Sequence, residues 1–574
     1  MADPLQQEMD GPPSPPPAEG APQIVVGPVQ RFRDARGNVT VFLETDRPCE
    51  VRVDTEGRGG ATHRMRTWAV HGHHYALVML EDVPADRAVP YRVWLDDAPV
   101  WPDPDRDDPV SVFPPAVTGD LARVAFGSCR ELGPHDAEGL AAWGADALVG
   151  LADRLRHLDH GEWPHLVLHL GDQVYADEPP EEVRKRLREL HAGDPEEIRE
   201  EIHDFEEYTW LYRPTWMHPD VRWLLSTVPS AMILDDHDLR DDWNTSAAWR
   251  REMETRPWWH DRVVGALGSY WVYQHIGNIS PEVLRDDPTF RAITTAPEAE
   301  ATGLLDDLAQ RSEDDPWSPG WSFARELGPA RLVVLDSRCR RVLEPPEMRA
   351  IVDEAEWAWL RDTIATQPAA RHLLIATTLP VFLPYGVHHI EGWSEAVATG
   401  AWGRLWARLG ERIRRAVDLE HWPAYHRSFV GVAQLLREVV TGTHPPASIL
   451  FLSGDVHFSY TAQVDLPGID APETAIHQLV QSPMRNRLPK AMIATFWLLQ
   501  TRFAAVALRP LPRLAGVEDP RVTWRFNGPL TFKNGLMTVL VDGERADVAV
   551  DRAMVDGEHE RLVRTEVKLL TSGG

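Results

Sequence analysis

Two stretches decide the reading of this chain: HLVLHLGDQVYADE at residues 165–178 and ILFLSGDVHFSY at residues 449–460. Each is an apolar run of strand length that stops at Gly-Asp. The first then delivers Asp172 and Tyr175, the second Asp455 and His457. Similar runs recur along the chain, in LARVAFGSC, SAMILDDHD, RLVVLDSR and HLLIATTLP, with helical stretches such as PEEVRKRLRELHAG between them. Buried strands alternating with helices specify an α/β domain. Five runs end in reactive groups: Cys129, Asp172, Asp236 with His237, Asp336 with Arg338, and Asp455 with His457. Open α/β sheets bind ligands at the carboxyl ends of their strands. Core packing gives no reason for acids, a thiol and imidazoles to collect there, whereas a metal site does.

The 574 residues suffice for a large core and more than one domain. Against 59 Lys and Arg stand 88 Asp and Glu, a formal net charge of −29. That balance argues against a broad nucleic-acid surface, which needs clustered Lys and Arg, and against attraction to anionic lipid. A phosphate substrate stays open, because a bound cation inverts the local field. Three cysteines, Cys49, Cys129 and Cys339, make no disulfide framework. Residues 1–21 are Pro-rich and polar, without a basic-then-apolar leader, so a disordered start and a cytoplasmic location are expected.

From 22 to 105 short strand-like runs (QIVVGPVQ, NVTVFLE, CEVRV, HYALVML, YRVWL) predict a small all-β sandwich of immunoglobulin or fibronectin type. His71, His73 and His74 in that domain read as structural. Residues 120–566 form the main domain, with Trp- and charge-rich helical insertions at 181–227, 246–328 and 395–440. AMIATFWLLQTRFAAVAL (491–508) is apolar, but Gln500 and Arg502 interrupt it and it falls short of the ~20 residues a bilayer requires. A buried or amphipathic helix is expected there, and no membrane span.

ILDDHDLRDDWN packs Asp235, Asp236, His237, Asp238, Asp241 and Asp242 together. So many carboxylates repel one another unless a cation or an arginine neutralises them. There is no GxSxG elbow and no Walker loop. Thiolate with phenolate suits a ferric or borderline ion; carboxylate loops suit Ca²⁺, Mg²⁺ or Mn²⁺.

Taken in order, GSC, GDQVYAD, DDHD with DDW, LDSR and SGDVH resemble the PhoD-like alkaline phosphatases of the calcineurin-like metallophosphoesterase superfamily. HGHHYALV and VWP resemble the sandwich domain that precedes the phosphatase in actinobacterial members, so the resemblance spans residues 22–565. It implies a double β-sheet flanked by helices, and two or more metal ions, Fe³⁺ plus Ca²⁺ with Mn²⁺, Zn²⁺ or Mg²⁺ as alternatives. Asp172 would bridge two of them. Tyr175 and Cys129 would share one ion, and His457 would complete that site or its neighbour. Asp236 stands where many superfamily members have a metal-binding Asn, and Asp455 where many have a His. His237 would donate the proton to the leaving group or stabilise the transition state. Arg338, with Arg130 and His389, would bind the substrate phosphate.

The superfamily's His after the preceding strand is missing from LLIATTLPVFLP, which leaves Asp241, Asp242 or an extra ion to fill its place. The expected reaction is attack of a metal-activated hydroxide on a small phosphate mono- or diester. A phosphodiesterase dedicated to a larger phosphoester is one alternative, and a catalytically silent binding protein on the same fold is another. Oligomeric state is not legible.

Overall fold

The apolar runs become strands whose two faces pack on different partners. The computed structural model describes residues 20–571 apart from 58–59, 105, 197, 315–319, 417, 470–472, 519 and 558. The N-terminus expected to be disordered lies outside these residues, save Gly20 and Ala21. Every residue of Ala330–Leu335, His372–Thr377 and Ser448–Ser453 is buried. Successive strand residues point to opposite faces. Leu332, Val334, Leu374, Ala376, Leu450 and Leu452 accordingly join one core, while Val333, Leu335, Leu373, Ile375, Ile449 and Phe451 join another. The first core lies against a second sheet. The other lies under the helices Glu354–Ala365 and His426–Val440, through Trp357, Leu360, Phe429 and Leu436.

The seven-stranded sheet runs in the order Phe323–Leu327, Ala330–Leu335, His372–Thr377, Ser448–Ser453, Ala475–Val480, Tyr460–Asp465, Thr523–Phe526. Its four central strands are parallel. The six-stranded sheet runs Ser230–Ile233, Leu166–Leu170, Leu121–Gly127, Gly535–Asp542, Arg545–Asp556, His559–Leu569. Its first three strands are parallel, and Gly535–Asp542 returns antiparallel. The C-terminal strands thus divide between both sheets. Every reactive group named from the sequence follows the carboxyl end of a parallel strand, so both sheets deliver them to loops of the same kind.

The N-terminal domain is two facing sheets. One has the order Ile24–Arg33, Val39–Thr45, His73–Leu80, Trp68–Val70. The other has the order Thr62–Arg66, Glu50–Thr55, Val89–Leu95, Ala98–Trp101, with Val112–Phe113 added against Val89 and Pro90. Val41, Val51, Val78 and Val93 form its own core. Its other face is fused to the main domain: Phe42, Trp68 and Tyr75 share a core with Trp216, Trp271 and Tyr273. Arg31, buried, donates to the Gln274 carbonyl at 2.6 Å and to Asn278 Oδ1 at 3.2 Å. An apolar junction with buried hydrogen bonds holds the sandwich as a fixed buttress.

Histidines expected to be structural staple this junction. His71 Nε2 meets Asp306 at 2.8 Å and its ring stacks on Phe205. His73 lies between Glu44 at 2.8 Å and Glu206 at 2.7 Å. Burial alone would depress its pKa, but the hydrogen bonds to both glutamates prevail and raise it to about 9. A raised pKa stabilises the fold fully below the unfolded value of 6.5 and loses that contribution as pH climbs through 9. Allowing for solvent screening at Glu206, the pair is worth about 1 kcal/mol. The stability gap between the parent and His73→Gln, read as a denaturant midpoint, is therefore expected at pH 6 and absent above pH 9.

The expected insertions are helical, and side-chain caps start several of them: Asp204 accepts from Glu207 N, Ser246 from Trp249 N and Asp353 from Glu356 N. The stretch 491–508, expected to be one buried or amphipathic helix, is broken and lies at the surface. Residues 490–514 form the short helices Lys490–Leu499, Arg502–Leu508 and Pro510–Leu514, and large apolar side chains on them stay in water: Phe503 is 77% exposed and Val506 73%.

Candidate metal centre

The first Gly-Asp step closes two neighbouring loops of the six-stranded sheet, and the second brings the rims of the two sheets together. A Cβ on Gly171 would lie 2.4 Å from Asp235 Cβ, and one on Gly454 would lie 2.1 Å from Ser128 Oγ. Glycine is what lets these loops touch. Past each turn the chain bends through left-handed backbone at Cys129 (φ 57°), Asp172 (53°), Asp455 (63°) and His457 (53°). Such conformations cost a non-glycine residue on the order of 1–3 kcal/mol and gather at functional sites.

Asp238 pins the loops to each other. Its Oδ2 accepts from Asp172 N at 3.0 Å and Asp235 N at 2.9 Å, and its Oδ1 from Val174 N at 3.2 Å. Ser128 Oγ accepts from Asp455 N at 2.9 Å and sits 3.1 Å from Cys129 Sγ.

Three ligand triads result, each with its donor atoms within 4.8 Å of one another: Cys129, Asp172, His457; Asp172, Asp235, Asp236; and Asp236, Glu420, Asp455. Asp172 belongs to the first two and Asp236 to the last two, so the donors form one continuous array. Cys129 Sγ lies 3.1 Å from Asp172 Oδ2. Tyr175 OH and His457 Nε2 both approach the Asn486 amide, at 3.4 and 3.5 Å.

The donors fit cations. Burial, reinforced by Asp172 and Asp455, holds the Cys129 thiol proton far above the usual range. Burial with Asp172 and Cys129 does the same to Tyr175, and burial with Asp236 and Asp238 to Asp172. Asp172 Oδ1, Asp235 Oδ2 and Asp242 Oδ1 are buried without a hydrogen-bond partner. A cation displaces such protons and satisfies such oxygens. His457 is pushed down to about 4 by burial and by His237, so its imidazole is neutral and free to ligate near pH 7.

A family model described as PhoD-like phosphatase matches residues 149–494, more than half of the chain. The chain belongs to the PhoD-like phosphatase family. A domain of unknown function (DUF7800) matches residues 21–115, the sandwich. A solved structure of PhoD superposes with a TM-score of 0.58 at 12% identity, over 97% of this chain and 94% of its own, which shows a shared fold. A purple acid phosphatase from yellow lupin (Lupinus luteus) seeds reaches 0.45 at 10% identity, over 93% of this chain and 72% of that one. No curated relative matches the chain. The protein is a phosphoesterase with the fold of PhoD.

Around this PhoD-like core the arginines lie among carboxylates. Arg338 faces four of them. It is fully buried, with Nε on Asp235, Nη1 on Glu420 at 2.7 Å, and Nη2 3.1 Å from Asp236 and 3.5 Å from Asp455. Arg130 is likewise buried, committed to Asp146 at 2.8 Å and the Thr215 carbonyl at 3.0 Å. Both guanidiniums are paired with buried carboxylates. His389 lies on the helix Tyr385–Ala398 beside Tyr385 and His388, two residues from Glu391.

His237 keeps company that the sequence only half showed. Its Nδ1 meets Asp177 at 3.0 Å and its Nε2 lies 4.0 Å from Asp241. Burial would lower its pKa, but Asp177, then Asp172 and Asp236, hold it well above the ordinary value.

Sequence reasoning missed Glu420 and His421, which the third insertion lowers onto the third triad. His421 bonds Asp455 Oδ2 at 3.2 Å and is held by Glu391 at 2.6 Å. Their signal was DLEHW, an acid-imidazole knot with no strand before it. Asn486 was missed as well, and so was the bracing role of Asp238. A cleft of about 1280 Å³ opens beside Asp177, with Glu131, Trp143, Arg184, Arg186 and Arg213 in its walls, and Arg130 backs it.

Proposed function

We propose that this phosphoesterase hydrolyses phosphate esters at the Cys129–Asp172–Asp236–Asp455 array. What carries the reading is the pair of shared carboxylates, Asp172 and Asp236, which link three triads into one array. Bound cations there would supply a nucleophilic water near neutral pH and charge for the phosphate oxygens. Cys129, Asp172, Tyr175 and His457 would hold a ferric or other borderline ion; Asp236, Glu420 and Asp455 would hold a hard one such as Ca²⁺, with Mn²⁺, Zn²⁺ or Mg²⁺ as substitutes.

His237 is the proton donor in this reading. Asp177 occupies Nδ1, which leaves Nε2 to protonate the departing alkoxide. The unpaired cysteines fit a cytoplasmic site for such a thiolate ligand. The size of the cleft beside Asp177, and its arginines, favour a second reading in which a diester with a bulky substituent is the substrate.

Elemental analysis of the purified protein, paired with hydrolysis of mono- and bis-aryl phosphates before and after chelation, tests both. Two or more metal ions per chain with chelator-sensitive turnover are expected. Turnover that survives complete metal removal would refute the first reading, and inertness toward the bis-aryl ester would refute the second.

A further inference from the structure

The helix Arg404–Ala416 and the hairpin Lys490–Leu514 together make a surface unlike the rest of the molecule. Leu405 is 80% exposed, Phe503 77%, Val506 73%, Leu514 72% and Leu498 58%, with Trp406 and Trp497 about half exposed. The inner side is seated. Phe496 packs on Phe458 with ring centroids 4.8 Å apart, and Trp402 Nε1 donates to the Leu514 carbonyl at 3.3 Å. Gly386 leaves no room for a Cβ against the Leu499 carbonyl. The apolar side chains are thus presented by a docked element.

Charge says what covers them. Arg404, Arg408 and Arg412 are exposed among the apolar residues of the first helix, and Arg487, Lys490 and Arg502 around the hairpin. From Arg487 to Val517 there is no Asp or Glu, in a chain of net charge −29. We infer that this surface docks on an anionic phospholipid membrane. Exposed apolar side chains interleaved with basic ones, and Trp at the edge, are the composition of interfacial helices. Each basic residue near an anionic leaflet contributes about 1 kcal/mol, while the acidic remainder is repelled and orients the molecule. A two-fold contact with a second copy would instead set one row of arginines against the other.

The element lies on the surface and does not cross it. Lys490–Leu499 is about 15 Å long against a core of about 30 Å, and the chain bends by 72° before Arg502–Leu514. No described helix is long and apolar enough to span alone. Net charge, read as an average over the chain, does not show this patch. Docking would also set the metal centre close to the headgroups, since Asn486, just before the hairpin, donates to Tyr175 OH at 3.4 Å.

Co-sedimentation of the full chain with phosphatidylcholine vesicles, with and without phosphatidylglycerol, is the test. Binding is expected with phosphatidylglycerol and is expected to weaken with salt. It should fall at least ~10-fold in Leu405→Asp/Phe503→Asp and in Lys490→Glu/Arg502→Glu, since reversing two charges removes more than 1.4 kcal/mol. Hydrolysis of a soluble aryl phosphate should stay unchanged in both variants. No binding to phosphatidylglycerol vesicles, or equal binding by both variants, would overturn the inference. So would a parent dimer that the variants convert to a monomer.

Discussion

Asp172→Asn is expected to cut hydrolysis of an aryl phosphate by more than ~1000-fold, beyond the ~100–1000-fold that loss of one electrostatic contact costs, and to strip the protein of metal. Asp172 sits where the first two triads meet, so it is the one carboxylate able to serve the thiol-bearing cluster and the acidic one together. An amide keeps the shape and loses the charge, and half of its positions point an N–H at the cation. The same change should not harm the fold. Burial with Asp236 and Asp238 already holds the Asp172 proton far above the usual carboxylate range, so a neutral side chain relieves repulsion. Elemental analysis, turnover and the denaturant midpoint in chelator separate the effects: metal and activity vanish while the midpoint holds or rises. Retained metal with full activity would remove Asp172 from the array.

The parts of this site that sequence revealed are those placed by strands. Cys129, Asp172, Asp236, Asp455 and His457 each follow a buried apolar run within four residues, and a parallel strand can aim its end at one rim. Glu420 and His421 arrive on an insertion whose landing point depends on how Tyr385–Ala398 and Arg404–Ala416 pack, which local pattern does not encode. Asp238 looked like one more ligand among five acids; its hydrogen bonds to three backbone amides make it the brace of two loops instead. For the arginines, residue type suggests phosphate but does not show their carboxylate partners, Asp146 for Arg130 and Glu420 for Arg338, which lie 16 and 82 positions away. The hairpin at 490–514 was legible as amphipathic, but which face meets protein and which meets water is a tertiary fact.

Arg338→Met is expected to destabilise the protein by about 3–5 kcal/mol, the usual cost of leaving buried charge uncompensated. One guanidinium, itself fully buried, faces Asp235, Asp236, Glu420 and Asp455, and Arg341 adds a second cation on Glu420 at 3.0 Å. The attraction runs both ways: Arg338 is raised well above its ordinary pKa although burial opposes its charge, with Asp235 the largest counterweight. Methionine fills the volume, supplies no charge and leaves four carboxylates to repel one another. The variant should therefore have a lower denaturant midpoint in chelator, recover part of it with added Ca²⁺ and lose turnover in step with stability. A phosphate-binding arginine would behave differently. Its loss would raise KM and leave the chelated midpoint where it was, and that outcome would move Arg338 from the frame of the site to its substrate face.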